Sequence, residues 1–103
     1  MSFFESCKDV HIEIKEDGPF LVCYARDQYG SYPQAIMRLD EFIGNDDGHF
    51  IWDGVNFSQS AKDIRLEGSN LTAVLANKDG RMGDRQSIDL NKYIANEGGD
   101  LVR

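Results

Sequence analysis

Apolar and polar residues alternate along several short stretches of the chain. Val10, Ile12 and Ile14 recur at every second position, and Ile64 and Leu66 do the same later in the sequence. Successive side chains of a β-strand point to opposite faces, so a period of two is typical of a strand with one face toward a core. The pattern predicts a protein built mainly of β-strands.

Two stretches depart from this alternation. Residues 39–43 and 90–94 place apolar side chains at positions i, i+3 and i+4, the spacing of a helical turn. Asn-Asp-Asp-Gly at 45–48 and Asn-Glu-Gly-Gly at 96–99 then supply residues that tolerate positive φ. The sequence therefore predicts two short helical turns, each followed by a tight turn that opens another strand.

The sequence also repeats itself. Residues 3–13 match residues 57–67, residues 21–26 lie over 71–76 with Gly30 over Gly80, and residues 39–50 match 90–101. An insert at 15–19 lengthens the first copy. A copy of about fifty residues buries too little surface alone, so we expect the two copies to complete one another's sheets. The result would be one folding unit with two equivalent surfaces.

Charge and hydropathy exclude several classes of partner. The chain has 103 residues and a net charge of −7, which repels a phosphate backbone or an anionic membrane surface. No apolar run approaches the ~20 residues that span a bilayer. Residues 1–7 lack the basic and then apolar segments of a signal peptide. We expect neither nucleic-acid binding nor membrane insertion. The location of the protein stays open, with a cytoplasmic or a non-classically secreted protein as the two alternatives.

Cysteine and histidine are scarce. Cys7 and Cys23 allow one disulfide, and their spacing matches no zinc motif. Only His11 and His49 could add imidazole ligands. We therefore expect no metal site and no cofactor.

Three motifs resemble the cyanovirin-N homology (CVNH) family. They are Asn-Phe-Ser-Gln-Ser-Ala-Lys-Asp-Ile-Arg-Leu-Glu-Gly at 56–68, Ile-Gly-Asn-Asp-Asp-Gly at 43–48 and Ile-Asp-Leu at 88–90. The resemblance, which is to fungal-type members, runs over essentially the whole chain. It implies a mainly β, cyanovirin-N-like fold in which the two tandem repeats form two pseudo-symmetric, β-rich pseudo-domains. Each would have a three-stranded sheet plus a hairpin, with short helical turns.

The same resemblance implies one CVNH domain over residues 1–103. Pseudo-domain A would take residues 1–42 and 93–103, and pseudo-domain B residues 43–92. The resemblance also implies a non-catalytic lectin that recognises mannose. Its preferred ligand would be the α-(1,2)-linked mannobiose at the ends of high-mannose glycans. Its partners would be mannose-containing oligosaccharides and high-mannose glycoproteins.

Each pseudo-domain would carry one sugar pocket. The resemblance favours pocket B, which would be lined by Asn45, Asp47, Asn56, Gln59, Ser60, Asn77 and Lys78. Pocket A would be lined by Ser2, Glu5, Ser6, Arg26, Gln28, Asn96, Glu97 and Gly98. Pocket A is less favoured because Gly98 replaces the acidic turn residue and Glu97 stands one place earlier.

Such residues suit a sugar because each hydroxyl group both donates and accepts a hydrogen bond. Convergent carboxylate, amide and hydroxyl groups satisfy both requirements, and rigid turns hold them in place before the ligand arrives.

The resemblance implies a scaffold with two disulfides, as in the founding member of the family. The cysteines of this chain depart from that pattern. Ala61 and Leu75 stand where the second bridge would be, while Ala25 stands in the expected partner position of Cys7. Cys23 comes two residues earlier, a shift of about 7 Å along a strand, whereas bridged Cα atoms lie about 5.5 Å apart. We expect two free thiols.

Two other functions are open. In a protein-interaction or scaffold module the fold would persist while the sugar sites decayed, which the changed turn at Gly98 fits. A glycosidase would use a carboxylate pair drawn from Asp46, Asp47 and Glu97, and we rank it last because turn acids in an acidic protein are usually solvated.

Two further expectations concern packing. The alternation of Phe3, Phe4, Phe50, Trp52 and Phe57 favours core packing over an exposed sugar platform. Gly54 should let the connection at 52–56 turn back, so we expect a monomer, with a strand-exchanged, domain-swapped dimer as the alternative.

Overall fold

The computed structural model describes residues 3–103 as four small antiparallel sheets. One three-stranded sheet contains β1 (Cys7–Lys15), β2 (Gly18–Ala25) and β3 (Gln34–Arg38), and the other contains β6 (Ala61–Glu67), β7 (Asn70–Ala76) and β8 (Met82–Asp89). Two hairpins are formed by β4 (Ile43–Asp46) with β5 (His49–Trp52) and by β9 (Ala95–Glu97) with β10 (Asp100–Val102). The predicted mainly β fold is confirmed.

Four 3₁₀ turns connect these strands, at Phe4–Ser6, Leu39–Glu41, Phe57–Ser60 and Leu90–Lys92. Two of them fall within the stretches whose apolar spacing predicts a helical turn. Residues 3–103 contain no helix with the length and apolar character needed to cross a membrane.

Each half of the molecule combines both repeats. The β9–β10 hairpin packs against β3 of the first repeat, and the β4–β5 hairpin packs against β8 of the second. The exact boundaries of the two pseudo-domains stay a prediction.

The duplication extends to backbone irregularities. The register of β1 on β2 shifts between Lys8 and His11, where Asp9 has φ 52°. The register of β6 on β7 shifts in the same way, and Asp63 there has φ 53°. Each repeat therefore carries the same β-bulge, which bends its first strand.

One apolar core joins the two halves. It includes Phe3, Leu21, Leu39, Ile43, Phe57, Leu71, Leu75, Leu90 and Ile94. Phe3 and Phe57 are fully buried, as expected. The expectation for Phe4 was wrong, because this residue is 37 % exposed and its ring lies perpendicular to that of Phe3, with centroids 6.2 Å apart.

Both cysteines are free thiols, as expected. Cys7 lies opposite Ala25 in the sheet register, so Cys23 is displaced along β2. Cys23 is fully buried, and burial raises the pKa of its thiol to about 12.

The connection between β5 and the next 3₁₀ turn passes close to β4. A Cβ atom on Gly54 would lie 2.8 Å from the Cα atom of Gly44, so a side chain there would collide with backbone. The amide of Asp53 donates to the carbonyl of Phe42 at 2.7 Å, and the amide of Asn56 donates to the carbonyl of Asp40 at 2.8 Å. These contacts fold the connection back onto residues 40–44.

Candidate functional site

The side chain of Asn45 joins three separate segments in the half of the molecule that contains the β6–β8 sheet. Its Nδ2 donates to Oγ of Ser60 at 2.7 Å and to the carbonyl oxygen of Ala76 at 2.8 Å. Its Oδ1 accepts from the amide of Gly48 at 2.8 Å. Because both ends of the amide group are engaged, Asn45 fixes the β4–β5 turn against the Phe57–Ser60 turn and the end of β7.

Asp47 adds a second tie between turns. Its backbone has φ 51°, and its Oδ1 accepts from the amide of Lys78 at 2.9 Å. The turn that contains Lys78 is closed by Asn77, whose Oδ1 accepts from the amides of Asp79 at 2.9 Å and Arg81 at 3.0 Å. The β4–β5 and β7–β8 turns are thus locked together.

The remaining predicted residues of pocket B lie on the adjacent 3₁₀ turn. Asn56 precedes that turn with φ 60°, and its carbonyl accepts from the amide of Gln59 at 3.2 Å. Asn56, Gln59 and Lys78 are exposed. We use the name "Asn45 site" for the predicted set Asn45, Asp47, Asn56, Gln59, Ser60, Asn77 and Lys78. Side-chain hydrogen bonds join Asn45 to Ser60, whereas Asn56 and Gln59 are joined to this cluster only through the backbone of their turn.

Asn96 makes the same set of bonds in the first half. Its Nδ2 donates to Oγ of Ser6 and to the carbonyl of Arg26, both at 3.0 Å, and its Oδ1 accepts from the amide of Gly99 at 2.9 Å. We use the name "Asn96 site" for this cluster with the exposed Glu5, Gln28, Glu97 and Gly98. Ser2, also predicted here, lies outside the described residues.

The sequence analysis missed one residue of the Asn96 site. Oδ1 of Asp27 accepts from the amides of Tyr29 and Ser31, both at 2.9 Å, as Asn77 does in the other half. The repeat alignment, which places Gly30 over Gly80, also places Asp27 over Asn77. The role of Asp27 could therefore have been predicted from the sequence. Arg26 contributes its carbonyl oxygen, and Gln28 takes the place of Lys78.

The two sites differ in the tie between their turns. Gly98 has φ 59°, close to the value of Asp47, but has no carboxylate to accept from the opposite turn. Among residues 3–103, no protein acceptor for the amide of Gln28 is found. Glu97 instead lies on β9, opposite Asp100. The turns of the Asn96 site therefore lack the tie that Asp47 provides.

The chemistry of both sites is that of polar binding. The side chains of residues 3–103 bring together no group of three metal-ligating residues. Asp46, Asp47 and Glu97 are all exposed. The sites instead offer amide, carboxylate and hydroxyl groups held by ordered turns.

The sequence and the fold of this chain are similar to those of known proteins of one family. Residues 3–102 match the model of the CVNH domain. A cyanovirin-N homolog of Neurospora crassa is 36 % identical over 108 residues, covering 98 % of this chain and 96 % of that protein. A designed cyanovirin-N homolog lectin, LKAMG, superposes with a TM-score of 0.87 at 32 % identity, covering 99 % of this chain and 98 % of the other. Microvirin, in a mannobiose complex, superposes at 0.82 with 26 % identity, covering 98 % and 96 %.

Proposed function

This chain belongs to the CVNH family, a family of carbohydrate-binding lectins, and from that premise we propose that it reversibly binds α-(1,2)-linked mannobiose at the ends of high-mannose glycans. The observation that carries the proposal is the matched pair of asparagine-centred clusters, each of which fixes two turns around exposed polar groups. Binding would need no cofactor and would break no bond.

The Asn45 site has the mixture of groups that vicinal hydroxyls require. One carboxylate oxygen of Asp47 is used by the amide of Lys78, which leaves the other oxygen as an acceptor for a hydroxyl. The exposed amide of Gln59 can donate and accept, and the ammonium group of Lys78 can donate. Because the turns are already fixed, little conformational entropy is lost when a sugar binds.

The mannobiose complex of microvirin supports a disaccharide as the ligand, since that protein shares this fold. The intact Asp47 tie favours the Asn45 site as the stronger of the two. If both sites bind, a monomer with two sites gains avidity for glycoproteins that display several high-mannose glycans.

The test is a titration of isotopically labelled protein with α-(1,2)-mannobiose, followed by backbone amide shifts in two-dimensional NMR. We expect saturable shifts at 45–47, 56–60 and 77–78, with weaker binding reported by residues 5, 6 and 96. α-(1,6)-linked mannobiose serves as the matched control and should bind more weakly. No shifts at about millimolar sugar would reject the mannose assignment, because even a weak complex of about −4 kcal/mol is half-saturated there.

The alternative is a protein-interaction module, and the missing carboxylate at Gly98 favours it for the Asn96 site alone. Mannobiose shifts confined to the Asn45 site, combined with capture of a protein partner that the sugar does not displace, would support that division of roles.

A further inference from the structure

A separate groove lies beside the β4–β5 hairpin and contains none of the residues of the two asparagine sites. It has a volume of about 370 Å³ and runs between β5 and β8 to the Leu90–Lys92 turn. Its walls combine aromatic rings with polar side chains, so it differs in chemistry from both asparagine sites.

The aromatic wall is formed by Trp52 and Tyr93. Their rings stack with centroids 4.6 Å apart and planes inclined by 16°. The other face of Trp52 lies near Phe42, with a centroid distance of 6.2 Å. Tyr93 lines the groove and is 39 % exposed, while Trp52 stacks on one face of its ring. The groove thus ends on a flat apolar surface with a polar rim.

The polar wall makes only long hydrogen bonds within the protein. Nδ1 of His49 lies 3.3 Å from Oε1 of Gln86, and Nε2 of Gln86 donates to the carbonyl of Asp84 at 3.3 Å. Bonds of this length are weak and are easily exchanged for a ligand. Ser87 adds an exposed hydroxyl group.

Charge in the groove is balanced. Lys92 and Asp89 both line it, and Oδ1 of Asp89 is occupied by Ser69 and the amide of Asn91. The ammonium group of Lys92 and the carboxylate of Asp89 balance one another, so these two side chains give no net attraction for an ion. A neutral ligand with hydroxyl groups and an apolar face fits best.

At the equivalent place in the other half, the residues that the structure describes form no such aromatic wall. The repeat alignment places Phe42 over Tyr93 and Arg103 over Trp52. The guanidinium group of Arg103 lies 5.3 Å from the centroid of Phe42 and pairs with Asp53, so it covers the ring. The open platform is therefore specific to one copy and does not follow from the duplication alone.

We propose that this groove is a third carbohydrate-binding site, which stacks the apolar face of a gluco-configured pyranose on Tyr93 while Gln86 and Ser87 bind its hydroxyl groups. Equatorial substituents leave axial C–H groups on both faces of such a ring, and these pack on an aromatic surface. The axial hydroxyl of mannose makes one of its faces polar, so mannose can stack through only one face, whereas a gluco-configured ring can stack through either. The proposal goes beyond the mannobiose function and does not depend on it.

The chain contains a single tryptophan, and it is Trp52. Its fluorescence therefore reports on this groove in the unmodified protein. Titration with cellotriose should give a saturable change in emission. Tyr93→Ala should weaken binding about tenfold through loss of the stacked ring, and Tyr93→Phe should stay within about threefold. Phe42→Leu is the matched control, because Phe42 packs on Trp52 from outside the groove, and its cellotriose affinity should equal that of the wild type.

No fluorescence change with cellotriose at tens of millimolar would overturn the proposal. An undiminished response in Tyr93→Ala would also overturn it, because the sugar would then bind elsewhere. If Tyr93→Ala fails to fold, Tyr93→Leu keeps the apolar bulk without the flat ring and should show the same loss. The NMR titration with mannobiose is read at different residues, so either assignment can fail while the other stands.

Discussion

Replacing Gly98 with Asp tests whether the tie between turns controls binding. Gly98 has φ 59°, and Asp47 adopts φ 51° in the equivalent place. No atom lies within 4 Å of the position that a Cβ atom on Gly98 would take. Gly98→Asp can therefore place a carboxylate facing the amide of Gln28, as Asp47 faces Lys78 at 2.9 Å.

Two opposing energies set the size of the stability change. A hydrogen bond to an exposed carboxylate contributes about 1.5 kcal/mol, the lower end of the range for charged acceptors. Placing a side chain in the left-handed region costs about 1 kcal/mol. The free energy of unfolding should therefore change by less than about 1 kcal/mol. Fixing the turn before the ligand arrives removes about 1 kcal/mol from the cost of binding, which raises mannobiose affinity at the Asn96 site about fivefold.

The assay is the NMR titration with α-(1,2)-mannobiose, read separately at residues of the two sites. The amide proton of Gln28 reports whether the new bond forms, and the affinity of the Asn45 site is an internal control that should not move. Asp47→Gly is the reciprocal change and should weaken the Asn45 site by more than this factor, because it removes the tie to Lys78 and also the carboxylate oxygen proposed to accept from the sugar. If the bond to Gln28 forms and the Asn96 site still binds mannobiose no more tightly, the preorganisation argument is refuted.

Three further outcomes follow from the contacts described. Asn45→Ala removes three hydrogen bonds and should lower the free energy of unfolding by about 2–3 kcal/mol in urea denaturation, where a loss below about 0.5 kcal/mol would contradict the bonding scheme. Burial raises the pKa of Cys23 to about 12, so iodoacetamide at about pH 8 should alkylate this thiol far more slowly in the native protein than in urea, and equal rates would show that it is accessible. The carbonyl of Asp9 and then the carboxylate of Glu13 raise the pKa of His11 above 6.5, so its stabilising contribution is complete below that value and disappears as the pH rises through the folded-state pKa. His11→Gln should therefore flatten the decline in the urea midpoint between about pH 6 and about pH 8, and an unchanged decline would assign it to other groups.

The duplication explains why the fold was accessible from sequence. Strand alternation at Val10 and Ile12 recurs at Ile64 and Leu66, and each copy is too small to fold alone. These constraints, with the family resemblance, leave few arrangements. The common bulges at Asp9 and Asp63 were not predicted, because a bulge depends on pairing with a partner strand and leaves no periodic signal.

The sites were only partly accessible from sequence. Asn45 and Asn96 stand out through the repeated turn motif, but their partners include the carbonyl oxygens of Ala76 and Arg26. Every residue has a carbonyl oxygen, so a sequence motif cannot indicate which of these oxygens will accept a hydrogen bond. Trp52 is half-buried and packs against the core, as predicted, but its stacking on Tyr93 joins residues far apart in the sequence and was not predicted.

The two asparagine networks also differ in when a growing chain can complete them. The Asn45 network joins positions 45, 48, 60 and 76, all of which have been synthesised before the last hairpin exists. The Asn96 network joins Ser6 and Arg26 to Gly99, so it closes only after Gly99 has left the ribosome. Translation thus imposes an order on two structurally equivalent surfaces, and a nascent chain halted before Gly99 has the atoms for one of them alone.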